Sequence, residues 1–241
     1  MIRTVLYAVY FGVLVLVSQL VALLPYYLMK FLGMRSGSRA FIRIASRVMG
    51  RLVIDGTGAK VSVVGRENLP AKVTRLCFVA NHQGIFDIPL VVGYIPVLMG
   101  FIAKVELKKI PFLNFWLWAI GSVLLNRKSP RSAIMAIKDG VERIRRGQTL
   151  CIFPEGTRSR SNRMGLFKTG SLKLAFRSDA VIVPLTIKNC YRVFEERGRI
   201  RTADVTLYIH PPVETEGLDE QEQKELAESI RATIAGPLAA E

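Results

Sequence analysis

The pattern of hydrophobic and polar residues divides this chain into two parts. The first is a predominantly apolar N-terminal stretch without charges, and the second, which is longer, alternates apolar with polar and charged residues. Residues 4–29 form a run of 26 residues without a charged side chain. At about 1.5 Å per residue, a helix of that length exceeds the roughly 30 Å of hydrocarbon in a bilayer. We predict a membrane segment in which residues 4–24 cross the bilayer or lie deep in one leaflet, with Pro25 kinking or ending the helix. The length of the run and the single Arg3 before it argue against a cleaved signal peptide.

Residues 29–52 show a helical period in which arginines and apolar residues fall on different faces. The arginines recur every four residues, at Arg35, Arg39, Arg43 and Arg47. Such a helix suits a membrane interface, where its arginines meet anionic headgroups and its apolar face enters the acyl boundary. The same pattern also fits a helix packed on a protein core with a solvated basic face. We assign residues 1–52 to N-terminal membrane-anchoring and interfacial helices, and residues 53–241 to the domain that carries the chemistry.

From about residue 55 onward, short apolar runs alternate with stretches of helical period. The runs predict strands at residues 60–64, 76–80, 100–103, 122–125, 150–153, 181–187 and 205–209. Residues 132–146 and 218–234 are the clearest helices, and Gly147 ends the first of them. This alternation predicts an α/β fold with a mostly parallel sheet flanked by helices, preceded by an N-terminal membrane-associated helical segment.

Charge and hydropathy together narrow the class of partner. Thirty-four Lys and Arg against nineteen Asp and Glu give a net charge of +15, and the pI is about 10.1. A strongly basic chain favours an anionic partner, but a mean hydropathy of +0.29 is high for a protein that binds nucleic acid. We therefore expect a membrane lipid surface as a partner, and no nucleic acid.

The cysteines give no sign of a disulfide framework or a metal site. Cys77, Cys151 and Cys190 are odd in number and sit in or beside apolar runs. Burial in a strand would raise the pKa of such a thiol, which argues against a catalytic cysteine. No cysteine or histidine has the spacing of a metal ligand set, so we predict neither a metal nor another cofactor.

One of the two histidines stands five positions before an aspartate, directly after a predicted buried strand. The segment reads Asn81-His82-Gln83-Gly84-Ile85-Phe86-Asp87. A neutral imidazole can take a proton from a hydroxyl near pH 7, and a carboxylate on the far ring nitrogen fixes its tautomer. Because no serine, cysteine or metal ligand lies in this segment, the simplest chemistry is a substrate hydroxyl that attacks an activated acyl group directly.

A second block, Phe153-Pro154-Glu155-Gly156-Thr157-Arg158-Ser159, also follows a predicted strand. The carboxyl ends of strands in an open α/β sheet are where ligands gather. Both blocks are therefore expected to face one crevice.

The two blocks stand in order with two others, Gly121-Ser122-Val123-Leu124-Leu125-Asn126-Arg127 and Val183-Pro184-Leu185. The chain thereby resembles the glycerolipid acyltransferase family, closest to the 1-acylglycerol-3-phosphate acyltransferases, over residues 60–190. The resemblance implies that His82 is the general base and Asp87 its partner. Together they would activate the sn-2 hydroxyl of lysophosphatidate toward an acyl thioester, carried by CoA or by an acyl carrier protein.

The resemblance also implies a site for the acceptor phosphate and a cellular location. In the family the blocks that correspond to residues 121–127 and 153–159 bind this phosphate, which here implicates Arg127, Glu155, Gly156, Thr157 and Arg158, with Lys104 as a further candidate. A carboxylate cannot bind phosphate directly, so Glu155 is expected to hold an arginine or lysine in place. The enzyme is expected at the cytoplasmic face of the inner or plasma membrane, with residues 110–120 as a candidate acyl groove or second membrane-contact helix.

Two departures from the family pattern leave open which lysolipid accepts the acyl group. Gly84 stands where the family usually has a small polar residue, and Asn126 where it often has aspartate. A related enzyme that acylates another lysolipid, such as a lyso-ornithine lipid, would share the His and Asp. A non-catalytic protein that binds anionic lipid or nucleic acid through charge is the alternative from another class, and it would not need His82.

Overall fold

The computed structural model describes residues 1–71, 74–110, 113–126, 128–168 and 170–239. Within these ranges, the strands form one seven-stranded sheet in the order β1-β7-β6-β2-β5-β3-β4. The strands are β1 (Lys60–Val64), β2 (Leu76–Ala80), β3 (Met99–Lys104), β4 (Val123–Leu125), β5 (Thr149–Ile152), β6 (Val181–Lys188) and β7 (Asp204–Ile209). Each predicted strand is present, and no end differs from its prediction by more than one residue.

All strand pairs in this sheet are parallel except one, the antiparallel pair of β6 and β7. The central strand β2 pairs with β5 on one side and with β6 on the other, so that Phe78 lies opposite Cys151 and Val183. Parallel neighbours end at the same edge of the sheet, which places the segments after β2 and β5 side by side. The predicted fold class is confirmed.

Helices cover both faces of the sheet, which explains why the central strand β2 is apolar at every position. The helices are α1 (Ile2–Ser18), α2 (Leu24–Phe31), α3 (Arg35–Asp55), α4 (Asp87–Tyr94), α5 (Leu113–Ala119), α6 (Pro130–Arg145), α7 (Lys173–Phe176) and α8 (Glu220–Ala239). Phe78 and Ala80 of β2 pack with α3 and α4, whereas Cys77 and Val79 pack with α6, α7 and α8. Alternate residues of one strand thus enter two separate hydrophobic cores.

Helices α3 and α4 touch through their backbones at a pair of glycines. A Cβ built on Gly50 would lie 2.7 Å from the backbone nitrogen of Gly93, and one built on Gly93 would lie 2.7 Å from that of Arg51. Side chains at these positions would force the helices apart. Since α4 begins at Asp87, this contact fixes the element that carries the aspartate.

The N-terminal apolar segment is helical from Ile2 to Phe31, with a mean hydropathy of 2.2 in its most apolar window, and is long and apolar enough to cross a membrane. The helix does not end at Pro25, which was one of the two predicted outcomes. The irregularity lies in the preceding turn, a π-helical segment from Gln19 to Leu23, and Pro25 occupies the first turn of α2. Proline has no N–H to donate, and a widened turn before it relieves the clash of its ring with the preceding carbonyl.

The start of α1 is fastened to the end of α3. The Arg3 guanidinium donates to the carbonyl of Thr57 at 2.6 Å, and the Tyr7 hydroxyl donates to the carbonyl of Val53 at 3.0 Å. The predicted boundary at residue 52 falls inside α3, which begins after a turn at Gly33 and continues to Asp55. The division into two domains stays a prediction.

Residues 113–119 form helix α5 rather than an open groove. Phe115 is buried against Ala22 and Ile42, so α5 joins the N-terminal helices to the rest of the molecule. Trp118 is half exposed and lies beneath the Lys30 ammonium, which is 4.3 Å from the ring centroid. Of the other residues in the predicted segment 110–120, Pro111 and Phe112 lie outside the described residues.

Candidate active site

His82 and Asp87 form a close pair at the carboxyl end of β2. His82 lies in the loop that leaves the strand, and Asp87 is the first residue of α4. The Nδ1 atom of His82 and the Oδ2 atom of Asp87 are 2.7 Å apart. The His82 side chain is 15% exposed and that of Asp87 is fully buried. Because Asp87 engages Nδ1, Nε2 is the ring nitrogen available to a substrate.

Asp87 is held in place by the backbone of the loop that carries His82. Its Oδ2 atom also accepts hydrogen bonds from the backbone N–H groups of Gln83, at 2.5 Å, and Gly84, at 2.8 Å. Its Oδ1 atom is buried and has no well-aligned hydrogen-bond partner among the described residues. Burial raises the pKa of the neighbouring Cys190 thiol, and the charge of Asp87 raises it further. This thiol therefore keeps its proton beside the carboxylate.

Phe153, the first residue after β5, stacks on the imidazole of His82. The ring centroids are 4.3 Å apart and the planes are inclined by 21°. Phe153 also stacks on Phe101 of β3, with centroids 6.1 Å apart. Stacking and the bond to Asp87 together restrict both the position and the rotation of the imidazole.

Glu155 joins the two sequence blocks through backbone amides. Its Oε1 atom accepts from the backbone N–H of His82 at 2.7 Å, and its Oε2 atom accepts from that of Gly165 at 2.6 Å. Glu155 was expected to hold an arginine or lysine; in the described part of the chain, both of its oxygens bind backbone groups instead. Burial raises the pKa of Glu155, and the two backbone hydrogen bonds oppose that shift.

Two further backbone hydrogen bonds continue this connection. The N–H of Ser159 donates to the carbonyl of His82 at 2.8 Å, and the N–H of Arg160 donates to that of Gln83 at 3.2 Å. The Gln83 side chain extends the network, since its Nε2 donates to Asn162 at 2.8 Å and its Oε1 accepts from the Cys190 N–H at 2.9 Å. The loop around His82 is thus tied to residues that lie far away in sequence.

The predicted phosphate-binding residues differ in their surroundings. Gly156 adopts a left-handed conformation with φ of 65°, which turns the chain so that Thr157 is exposed and Arg158 is partly exposed. The part of the chain that the structure describes offers no partner for the backbone N–H groups of Thr157 and Arg158. These two amides and the Arg158 guanidinium are donors that an anion can use.

One other predicted residue stands at a neighbouring strand end. Lys104 ends β3 at the same edge of the sheet, where its exposed ammonium lies 3.4 Å from Glu106. Arg127, which follows β4, lies outside the described residues.

Sequence reasoning missed Glu195, which approaches the His82 loop from the segment after β6. Its Oε1 atom accepts from the backbone N–H of Ile85 at 2.7 Å and lies 3.3 Å from Nη1 of Arg158. In the sequence, Glu195 stands out only as one of the few acids in the basic stretch of residues 156–201. Nothing local connects it with the histidine.

An apolar cavity of about 280 Å³ opens beside the phosphate-binding block. Phe153, Gly156 and Lys168 line the part nearest the site, and aliphatic residues of β3, β5 and α6 line the remainder, including Ile102, Ile152 and Ile137. A larger cavity of about 870 Å³ lies near the first residues of β2 and β5 and is lined by Leu76 and Thr149. Those residues begin their strands, so the larger cavity is remote from His82.

The geometry at this edge suits proton transfer next to an anion-binding turn. One ring nitrogen is oriented by a buried carboxylate, the other is open, and basic and amide donors lie on the adjacent loop. Among the described residues, no group of three or more histidine, cysteine, aspartate or glutamate side chains is arranged to hold a metal ion. The arrangement favours general-base activation of a hydroxyl on an anionic substrate.

Comparison with known proteins yields one consistent family. The family model described as acyltransferase matches residues 60–188. A 1-acyl-sn-glycerol-3-phosphate acyltransferase of Borreliella burgdorferi is 34% identical over 185 residues, which are 75% of this chain and 72% of the relative. The Saccharomyces cerevisiae protein of the same name is 32% identical over 75% of this chain and 60% of its own length.

A solved structure resembles the whole chain. The crystal structure of the 1-acyl-sn-glycerophosphate (LPA) acyltransferase PlsC from Thermotoga maritima superimposes with a TM-score of 0.84 at 30% identity. The match covers 100% of this chain and 98% of that one. The similarity therefore includes the N-terminal helices as well as the sheet.

Proposed function

This chain belongs to the acyltransferase family, and on that basis we propose that it transfers a fatty acyl group from an acyl thioester to the sn-2 hydroxyl of lysophosphatidate, forming phosphatidate. The observation that carries the proposal is the hydrogen bond of 2.7 Å between His82 and Asp87, which occupies Nδ1 and leaves Nε2 to act on the substrate. The relatives named above, which carry the same activity in their names, support the choice of acceptor.

In the proposed reaction, Nε2 of His82 removes the proton of the acceptor hydroxyl as that oxygen attacks the thioester carbonyl carbon. Asp87 stabilises the imidazolium that results, because its carboxylate lies on the opposite ring nitrogen. The tetrahedral intermediate then expels the thiolate, breaking the carbon–sulfur bond. The thiolate takes the proton from Nε2, and the base is regenerated.

The acceptor phosphate is proposed to bind at the turn formed by Gly156, Thr157 and Arg158. The two backbone N–H groups after Gly156 and the Arg158 guanidinium can all donate to phosphate oxygens. Lys104 ends the neighbouring strand and adds positive charge to this edge of the sheet, and Arg127 is included on the grounds of sequence alone. An anion at this turn would hold the glycerol hydroxyl near the imidazole.

The acyl chains and the membrane are assigned to apolar surfaces. The cavity of about 280 Å³ beside Phe153 is apolar along most of its wall, which suits a fatty acyl chain. Leu20, Leu24 and Phe31 on the N-terminal helices are largely exposed and are proposed to contact lipid. Because α1 is fastened to α3 through Arg3, the site would stay close to the membrane surface, which we propose to be the cytoplasmic one.

The decisive experiment measures acyl transfer by the purified protein in mixed micelles of detergent and lysophosphatidate. Acyl-CoA and acyl carrier protein loaded with the same chain are supplied separately, and phosphatidate is followed by lipid chromatography. The variant His82→Ala is compared with His210→Gln. His210 is the other histidine of the chain and a matched control, because it binds Thr186 within the fold at 2.8 Å.

We expect transfer from at least one donor, loss of transfer in His82→Ala and retention in His210→Gln. General-base removal lowers the rate by about 10²- to 10⁴-fold. If the folded protein transfers the acyl group to a lyso-ornithine lipid but not to lysophosphatidate, the proposed acceptor is wrong, and the assignment of His82 as the base is unaffected. If acyl transfer persists in His82→Ala, His82 is not the general base.

A further inference from the structure

We propose that Glu195 is a positioning residue that holds Arg158 in place for the acceptor phosphate, and that Gly84 leaves the space in which it does so. This inference rests on the phosphate-binding role proposed above for Arg158. It assigns a function to a residue outside the four sequence blocks.

Glu195 connects the His82 loop with the phosphate-binding turn. One oxygen, Oε1, accepts from the backbone N–H of Ile85 and also faces the guanidinium of Arg158. The Glu195 side chain is only 4% exposed, whereas that of Arg158 is 36% exposed. The buried member of the pair is therefore fixed by the protein, and the partly exposed guanidinium takes its position from it.

Gly84 is the residue that permits this arrangement. A Cβ built there would lie 2.4 Å from Oε2 of Glu195 and 2.7 Å from its carboxyl carbon. The Gly84 backbone does not have a positive φ, so its conformation accepts a side chain. The three atoms nearest to that Cβ all belong to the Glu195 carboxylate. Any side chain at position 84 has to displace that carboxylate from Ile85 and Arg158.

The charges around Glu195 explain why Arg158 is needed beside it. The Oε2 atom is buried and has no hydrogen-bond partner among the described residues. Burial raises the pKa of Glu195, the nearby Asp87 raises it further, and Arg158 lowers it. A buried carboxylate next to a second one requires a countercharge, and the guanidinium supplies it. The interaction orients both partners.

The test measures KM for lysophosphatidate and kcat separately, because a positioning residue for ground-state binding affects KM. We expect Glu195→Gln to raise KM about tenfold while kcat changes less than about twofold. Glu196→Gln is the matched control, since its side chain is 34% exposed and pairs with surface arginines. That variant should leave both parameters unchanged.

A double-mutant cycle shows whether Glu195 acts through Arg158. In an Arg158→Ala background, Glu195→Gln should have no further effect on KM. Gly84→Ala should raise KM in the wild type and have little effect in Glu195→Ala, where the carboxylate is absent. If Glu195→Gln does not fold, this second pair supplies the same comparison.

Three outcomes would overturn the proposal. They are an unchanged KM in Glu195→Gln, a change confined to kcat, and a full effect of Glu195→Gln in the Arg158→Ala background. An unchanged KM in active Arg158→Ala would instead refute the phosphate role of Arg158, and this inference with it, without affecting His82 as the base. If Arg158→Ala raises KM but Glu195→Gln does not, only the positioning role of Glu195 is refuted.

Discussion

The carboxylate of Glu155 accepts a hydrogen bond from the backbone N–H of His82, with 2.7 Å between Oε1 and the nitrogen. The contact joins a residue after β5 to the residue that carries the imidazole after β2. It shows that Glu155 supports the backbone of the loop that carries His82. Both of its carboxylate oxygens accept hydrogen bonds from backbone amides.

Replacing Glu155 with glutamine should destabilise the fold. A glutamine keeps one acceptor oxygen but turns an NH₂ group toward the second backbone N–H, which then has no acceptor. An unsatisfied buried donor costs about 1–3 kcal/mol of unfolding free energy. Chemical denaturation in detergent measures the loss, with Glu142→Gln on the exposed face of α6 as the control. Equal stability of the two variants would contradict the connection described here.

Phe153→Leu should lower kcat by about 2- to 10-fold. The substitution keeps an apolar side chain but removes the ring stacked on His82. An aromatic pair is worth about 0.5–1.5 kcal/mol beyond area burial, which corresponds to that range of rates if the stacking orients the base in the transition state. Single-turnover kinetics at saturating acceptor gives the comparison. A change in KM alone would show that Phe153 serves binding.

Asp87→Asn should lower kcat by about 10²- to 10⁴-fold, because the neutral amide no longer stabilises the imidazolium. Two of the interactions of Oδ2 are with backbone amides, so an asparagine oxygen can preserve the loop. The double variant with His82→Ala should be no slower than His82→Ala alone, since the two residues act as a unit. Additive losses would mean that Asp87 has a separate role.

Acidification should destabilise the protein through His210. Burial lowers the pKa of His210 below its ordinary value of about 6.5. The unfolded chain then binds a proton more readily than the folded one, so stability falls as the pH drops from about 6.5 toward the lowered pKa. His210→Gln should flatten this part of the curve of unfolding free energy against pH. If the unfolding free energy falls equally steeply with decreasing pH in the wild type and in the variant, His210 is not the cause of the destabilisation.

The strands could be predicted closely because both faces of the sheet are covered. Residues 76–80 are apolar throughout, residues 181–187 are apolar except for the buried Thr186, and helices bury both strands from two sides. The π-helical turn before α2 could not be placed from Pro25 alone. Its position depends on which preceding turn widens, and packing against neighbouring helices influences that choice.

The sequence by itself determined the pairing of His82 with Asp87, because the two residues are only five positions apart, one in a loop and the other at the start of the helix that follows it. It also determined that the blocks after β2 and β5 share an edge, since parallel neighbouring strands end on the same side. Only the tertiary structure decided the partners of Glu155 and the approach of Glu195 to Ile85, which is 110 positions away. Such contacts depend on how loops from separate strands meet in space, and hydrophobic periodicity carries no information about them.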